Sequence, residues 1–131
     1  MPCDRRFRPA DPYPDAGWNR ADQPPDEAFV HVNGLRAGPD GRLWIVDSGT
    51  PQVGGEQVPG GARLIAVNLD GDHVERVHHL DEAVRPDSYV DDVRFNGRMA
   101  YLSDAGAAGL IVHDLDSGRS RRVVSVGRSQ P

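Results

Sequence analysis

The stretch Gly41–Thr50, GRLWIVDSGT, contains four consecutive apolar residues, Leu43 to Val46, that run directly into an aspartate, a serine and a glycine. A strand with one face in water alternates apolar and polar residues, so an unbroken apolar run indicates a strand buried on both faces. A similar stretch, GRMAYLSDAG, returns at Gly97–Gly106. This recurrence predicts that the chain repeats one structural unit.

The composition favours short strands joined by tight turns, because 131 residues include 15 glycines and 11 prolines. The net charge of −5 argues against a nucleic-acid partner. No apolar run approaches the roughly 18 residues of a membrane span, so no membrane partner is expected. The only cysteine, Cys3, excludes an intrachain disulfide. The N-terminus has no apolar signal-peptide core, and the chain as written is predicted to be cytoplasmic.

The regular pattern begins at Ala28. Residues 1–27 are rich in proline and have no apolar period, so we expect an extended N-terminal arm that packs through Tyr13 and Trp18. Residues 28–131 carry β-rich runs separated by turn formers, and none of them has a helical period. Eight strands are predicted, at Val30–Arg36, Arg42–Asp47, Arg63–Leu69, Val74–Leu80, Tyr89–Phe95, Arg98–Ser103, Leu110–Leu115 and Arg121–Val126.

The eight strands form two similar sets of four. Val32–Gly49 aligns with Val90–Gly106, and Arg63–Val77 aligns with Gly109–Val123. A four-strand repeat of about 40 to 50 residues is typical of a β-propeller blade, whose second strand is covered by the neighbouring blades. We therefore predict an all-β chain of two four-stranded propeller blades, at about 28–80 and 89–126.

Five segments together resemble the major royal jelly protein / Yellow family, including its bacterial members. They are LWIVDSG, the GG…PGGARLIAVNL segment, RPDSYVDDVRF, AYLSDAG and GLIVHDLDSGRSRRV, and YPDAGWN at Tyr13 belongs with them. The PDGRLWIVD segment is shared more widely with gluconolactonase-like propellers. The resemblance implies a six-bladed propeller, usually of a secreted protein, of which this chain resembles two blades.

Two blades leave two sheet faces without a neighbour. One expectation is that the chain is a truncated gene product or fragment without independent activity. The other is a homo-oligomer in which three chains close a six-bladed ring and bury every open face.

The resemblance also implies a candidate metal site. In gluconolactonase-like relatives an Asn and an Asp at the starts of inner strands bind a divalent cation, and Asn33 and Asp91 match those positions, with Asp92 adjacent. Oxygen ligands of this kind suit Ca²⁺ or Mg²⁺, and Ca²⁺ is the candidate cofactor. This chain lacks the Glu-Gly-Pro-Trp-like segment that supplies the usual third ligand. The other interpretation is that these residues cap strand starts through hydrogen bonds to backbone amides.

The segment RPDSY, Arg85–Tyr89, leads into an inner strand and is the candidate ligand-binding loop. Arg85, Asp87 and Tyr89, together with Asp92, offer a cation, two acids and an aromatic ring to a small molecule. The alternative is a plain blade-connecting turn in which Pro86 restricts the backbone.

Other polar residues are interpreted structurally. Asp47 beside Ser48 suggests an acid and a nucleophile, but the second copy has Ala105 in place of the serine, which favours a turn-forming aspartate. His78 and His79 point to opposite faces of a strand. His113 is expected to be an ordinary, partly exposed strand residue.

Three functions are compatible with these features. The first is a royal jelly/Yellow-like propeller that binds a small molecule, as some insect relatives bind biogenic amines or act on dopachrome. The second is a metal-dependent, lactonase-like hydrolase. The third is a structural unit that assembles with copies of itself.

Overall fold

A computed structural model describes residues 11–20, 23–24, 27–38 and 40–124. These residues form one 3₁₀ turn, Gly17–Asn19, and eight strands, so the predicted all-β class is confirmed. The strands are β1 Val32–Ala37, β2 Leu43–Ser48, β3 Ala62–Asn68, β4 His73–His79, β5 Val90–Asn96, β6 Met99–Asp104, β7 Gly109–Asp114 and β8 Ser120–Val124. Within these ranges no helix has the length and hydrophobicity needed to cross a bilayer.

The strands form two antiparallel four-stranded sheets, ordered β1-β2-β3-β4 and β5-β6-β7-β8. Strand β5 packs against β1 and β2 of the first sheet. Two consecutive meanders whose first strands lie side by side are the arrangement of neighbouring propeller blades, and the predicted architecture is confirmed. The end of the predicted strand Arg121–Val126 lies outside the described residues.

The main core lies between the two blades. Trp44, Val46 and Leu64 of the first blade pack against Leu102 and Ile111 of the second, and all five side chains are buried. Because side chains alternate along a strand, Ile45 points to the opposite face of the first sheet. That face is also buried, which accounts for the unbroken apolar run.

The N-terminal arm covers this second face. Ile45, Ile65 and Val67 are buried under Trp18 and Phe29. The Trp18 and Phe29 rings lie 5.2 Å apart, and Phe29 N donates to Trp18 O at 2.7 Å. The arm therefore packs where a preceding blade would lie.

The aspartates that end β2 and β6 organise the turns that follow. Asp47 accepts from Gly49 N at 3.0 Å, and Asp104 accepts from Gly106 N at 3.0 Å. Gly49 has φ +77°, as the sequence predicts for a turn glycine. Gly106 is required for a different reason, because a Cβ there would lie 2.0 Å from the carbonyl oxygen of Asp87.

Candidate functional site at the starts of the inner strands

Three predicted site residues meet where the inner strands β1 and β5 begin. Asn33 Nδ2 donates to Asp91 Oδ1 at 3.1 Å and to the carbonyl oxygen of Val90 at 3.2 Å. Tyr89 Oη donates to Asn33 Oδ1 at 3.2 Å. The structure thus joins Asn33, Tyr89 and Asp91 in one hydrogen-bonded cluster across the two blades.

The cluster depends on a close approach of the two inner strands. A Cβ on Gly34 would lie 2.7 Å from the carbonyl oxygen of Asp91, well inside van der Waals contact. Only glycine lets β1 lie this near β5 without a shift of the backbone. The irregular pairing between Val32 and Gly34 falls at this point as well.

The side chain of Asp91 is the exposed acid of the cluster. It accepts the hydrogen bond from Asn33, and among the described residues it has no cationic partner. The His31 ring lies 5.8 Å from the ring of Tyr89, and both side chains are half-buried. An exposed carboxylate, linked through Asn33 to Tyr89, is therefore accessible at this end of the blades.

Asp92 lies on the same strand but has a different environment. Its carboxylate pairs with Arg36 at 3.2 Å and with Arg94 at 2.8 Å. Partial burial raises the pKa of Asp92, but hydrogen bonds from Val93 N, Arg94 and Arg36 outweigh it and hold the pKa below its usual value. The charge of Asp92 is thus already balanced within the chain.

Arg85 and Asp87 lie on the exposed loop that precedes β5 and do not join the cluster through any described contact of their side chains. The loop closes through Ser88 N to Arg85 O at 2.9 Å and Arg85 N to Ser88 Oγ at 2.8 Å. Gln57 N donates to Pro86 O at 3.0 Å, and Gln57 Nε2 donates to Ser88 O at 2.8 Å. The long β2–β3 loop therefore holds the loop that presents Tyr89.

The oxygen atoms at the cluster decide whether a metal ion fits there. Asn33 and Asp91 are the two side chains of the implied ligand set that meet, whereas Ca²⁺ takes six to eight oxygen ligands. Within the described ranges no group of three or more His, Cys, Asp or Glu residues could hold a metal. Asn33 also turns its amide nitrogen, not its oxygen, toward Asp91. These residues by themselves do not make up a complete cation site.

Ser48 is the last residue of β2 and is held in place by the turn that follows. Its side chain is fully buried, and Ser48 Oγ donates to the carbonyl oxygens of His31 and Thr50, at 3.1 and 3.3 Å. Asp47 accepts from Val30 N and His31 N at 2.8 and 2.9 Å. This geometry agrees with the structural interpretation of Asp47 and Ser48.

A histidine pair that the sequence did not predict bridges the blades, between β4 of the first and β7 of the second. His113 Nε2 and His78 Nδ1 form a 2.8 Å hydrogen bond, and His113 Nδ1 is hydrogen-bonded to Ser120 Oγ. His113 is fully buried, so the expectation of a partly exposed residue is wrong. The polar residues of β4 show no alternation that marks His78 as buried. The two rings meet only because the two blades pack together.

Burial determines the ionisation of this pair. Burial lowers the pKa of His78 to about 4, and the nearby charges of His113, Arg76 and His79 act in the same direction. Burial also lowers the pKa of His113. Both imidazoles are therefore neutral at pH 7.

Comparison with known proteins supports the fold. No curated protein matches this chain. The family model described as "Major royal jelly protein" matches residues 32–127, which include all eight strands. This match covers more than half of the 131 residues. The chain therefore belongs to the major royal jelly protein family.

Proposed function

We propose that this protein binds a small organic cation at the starts of its inner strands. The observation that carries the proposal is Asp91, an exposed carboxylate without a cationic partner in the described part of the chain. An ammonium group at Asp91 gains a charge-assisted hydrogen bond, and an aromatic ring beside it packs against Tyr89 and His31. The family resemblance, which includes relatives that bind biogenic amines, supports the same ligand class.

The hydrogen bonds around Asp91 suit this role. Asn33 occupies one carboxylate oxygen and in turn accepts from Tyr89, so the acid and the ring keep a constant separation. A preorganised site loses less side-chain entropy when a ligand binds. Asp92 plays a supporting part, because its pairs with Arg36 and Arg94 keep those two cations away from Asp91.

Calorimetric titration with tyramine tests the proposal. Tyramine is expected to bind, and 4-ethylphenol, which has no ammonium group, is expected to bind at least about tenfold more weakly. Asp91→Asn removes the charge at nearly constant shape and should weaken tyramine binding by a similar factor. Asp70→Asn, an exposed acid on the β3–β4 turn, is the matched control. Equal affinity for the two compounds, or an unchanged affinity in Asp91→Asn, contradicts the proposal.

A metal-dependent, lactonase-like hydrolase is the second candidate, and the proximity of Asn33 and Asp91 supports it; the Asn33 amide would then turn so that its oxygen faces the ion. In this case Ca²⁺ takes the place of the ammonium group, and further oxygens come from water or from residues outside the pair. Ca²⁺ should then raise the melting temperature of the wild type but not of Asn33→Ala or Asp91→Asn. Ca²⁺-dependent hydrolysis of an aliphatic lactone would favour this candidate over amine binding.

Self-assembly into a closed ring is the third candidate. The free face of the second blade carries Met99, Tyr101 and Leu110, which are only partly buried. The corresponding face of the first blade is covered by Trp18 and Phe29, so a second copy would have to displace the arm to pack there. Light scattering distinguishes a chain of 14.3 kDa from a trimer three times that mass.

A further inference from the structure

A second cleft opens between the blades at the end opposite the Asn33–Asp91 cluster. It has a volume of about 360 Å³ and lies where the β5–β6 and β7–β8 turns meet the first blade. Trp44, Ala66 and Leu115 supply its apolar wall. Sites for small ligands begin at about 300 Å³, so the cleft is large enough for a single-ring molecule.

His78 lines this cleft and has one nitrogen to spare. Its side chain is 97% buried (3% exposed), Nδ1 is bonded to His113, and Nε2 has no hydrogen-bond partner in the described structure. A buried polar atom without a partner costs about 1–3 kcal/mol. A ligand atom that bonds to Nε2 removes this cost, so the atom marks a place where a ligand is favoured.

The hydrogen bonds of the pair allow Nε2 to act as a donor. With a hydrogen on Nε2, His78 Nδ1 accepts from His113 Nε2, and His113 Nδ1 accepts from the hydroxyl of Ser120. Both hydrogen bonds of the pair then have one donor and one acceptor, and the Nε2 hydrogen of His78 is left without an acceptor among the described residues. Since the ring of His78 is neutral at pH 7, it offers an N–H group without a charge.

Arg76 supplies the positive charge. It lies two residues before His78 on β4, on the same face of the sheet, and lines the same cleft. The other two arginines of the cleft are paired, Arg42 with Asp40 and Glu75, and Arg98 with Asp114. The side chain of Arg76 makes no hydrogen bond or ion pair with any residue that the structure describes.

We infer that this cleft binds a small planar monoanion, of the aromatic carboxylate class, independently of the Asn33–Asp91 cluster. The carboxylate bridges Arg76 and the Nε2 hydrogen of His78, and the ring packs against Trp44 and Leu115. The two acids on the rim, Asp40 and Asp116, disfavour ligands with a larger negative charge. Trp44 Nε1 is already bonded to Asp40 at 3.2 Å, so the indole contributes its apolar surface.

Benzoate is the probe, with benzamide as its neutral analogue. The chain has two tryptophans, so Trp18→Phe leaves Trp44 as the only one and makes its fluorescence a report on the cleft. Benzoate is expected to change this fluorescence and to bind the wild type in calorimetry. Benzamide should bind about tenfold more weakly, because it lacks the charge that Arg76 pairs with.

Arg76→Gln keeps a hydrogen-bonding side chain at an exposed strand position and should weaken benzoate binding about tenfold. Arg121→Gln, an exposed arginine on β8, is the matched control and should bind as the wild type does. Asp91→Asn should also leave benzoate binding unchanged, which separates this inference from the proposed amine binding at Asp91. Absence of benzoate binding at millimolar concentration overturns the inference, and so does equal binding by Arg76→Gln and the wild type.

Discussion

Asp47 and Arg63 face each other across β2 and β3 and form an ion pair with 2.6 Å between Oδ2 and Nη2, both side chains being fully buried. Arg63 also donates to the carbonyl oxygens of Ala28 and Gly61 and lies 5.8 Å from the Trp18 ring. The arm thus covers a charge pair that would be exposed to water if the first blade stood without the arm.

The second blade forms the same kind of pair with an arginine from a different strand. Asp104 pairs with Arg122 of β8 at 3.0 Å, and Gly109 stands opposite Asp104 where Arg63 stands opposite Asp47. Because Gly109 has no side chain, Arg122 can extend from the neighbouring strand to the aspartate. The repeated feature is therefore the aspartate, and the arginine is supplied locally.

Loss of Arg63 should strongly destabilise the protein. Arg63→Met leaves the charge of Asp47 buried without a cation, which costs about 3–5 kcal/mol. Urea unfolding followed by circular dichroism measures the change. Arg121→Met, at an exposed position, is the control and should shift the free energy of unfolding by less than about 0.5 kcal/mol. Equal effects of the two substitutions would show that the buried pair contributes little.

Removal of the Trp18 side chain should expose the first blade. Trp18 is half-buried, so Trp18→Ala is expected to cost roughly 2 kcal/mol, below the roughly 3–5 kcal/mol of a fully buried tryptophan. Ile45, Ile65 and Val67 then face water, and concentration-dependent association should appear in light scattering. Trp18→Phe keeps an aromatic ring and is the control. A monomeric Trp18→Ala protein of unchanged stability would contradict the role of the arm.

Acidification should weaken the contact between the blades. The pKa of His78 is about 4 in the folded protein and 6.5 for an unperturbed histidine, so the unfolded chain binds the proton at a higher pH. The contribution of the neutral His78 ring to the free energy of unfolding is therefore fully present above pH 6.5. It is lost as the pH falls toward 4, a decrease of about 3 kcal/mol. The lowered pKa of His113 acts in the same direction. The paired carboxylates lose their contribution only at still lower pH, because their folded pKa values lie below the usual range.

Urea midpoints at pH 7.5 and pH 5 measure this effect. His78→Gln should reduce the difference between the two midpoints, since glutamine does not titrate. His73→Gln, at an exposed position on the same strand, should keep the wild-type difference. If the urea midpoints of His78→Gln differ between the two pH values as much as those of the wild type, other groups cause the pH dependence.

The approach of the inner strands should fail when Gly34 gains a side chain. Gly34→Ala places a Cβ 2.7 Å from the carbonyl oxygen of Asp91 and is expected to cost about 1–3 kcal/mol as β1 and β5 separate. Tyramine binding should weaken as well, because Asn33 moves away from Asp91. Ala37→Val, at the exposed far end of β1, is the control for an added apolar group on this strand. Wild-type stability and affinity in Gly34→Ala would contradict this account.

The local pattern determined the strands and the repeat. Runs such as LWIVDS and RLIAVN place apolar residues on both faces of a strand, and glycine and asparagine mark the turns between the strands. The eight strands were therefore predicted to within two residues at every end that the structure describes. The repeated aspartates Asp47 and Asp104 were interpreted correctly as turn residues for the same reason. For each aspartate one backbone partner lies only two residues further along the chain, Gly49 for Asp47 and Gly106 for Asp104.

The site is known only in part from sequence. Asn33 and Asp91 were paired by their equivalent places in the two repeats, and they lie next to each other because β1 and β5 are the inner strands. Asp92 and Tyr89 were both predicted from the sequence as ligand-binding residues, with nothing to distinguish them. Asp92 is held by two arginines and Tyr89 is hydrogen-bonded to Asn33, and this difference arises from how the second blade packs against β1.

The sequence by itself determined the all-β class, the two four-stranded repeats and the family, since each follows from short-range patterns along the chain. Only the tertiary structure decided how His78 meets His113, how Arg63 is buried beneath Trp18, and which side chains line the cleft beside Arg76. The two histidines, for example, are 35 positions apart in the chain. The spacing of residues along the chain does not predict such contacts, because they form only when the second blade or the arm packs against a face of the first blade.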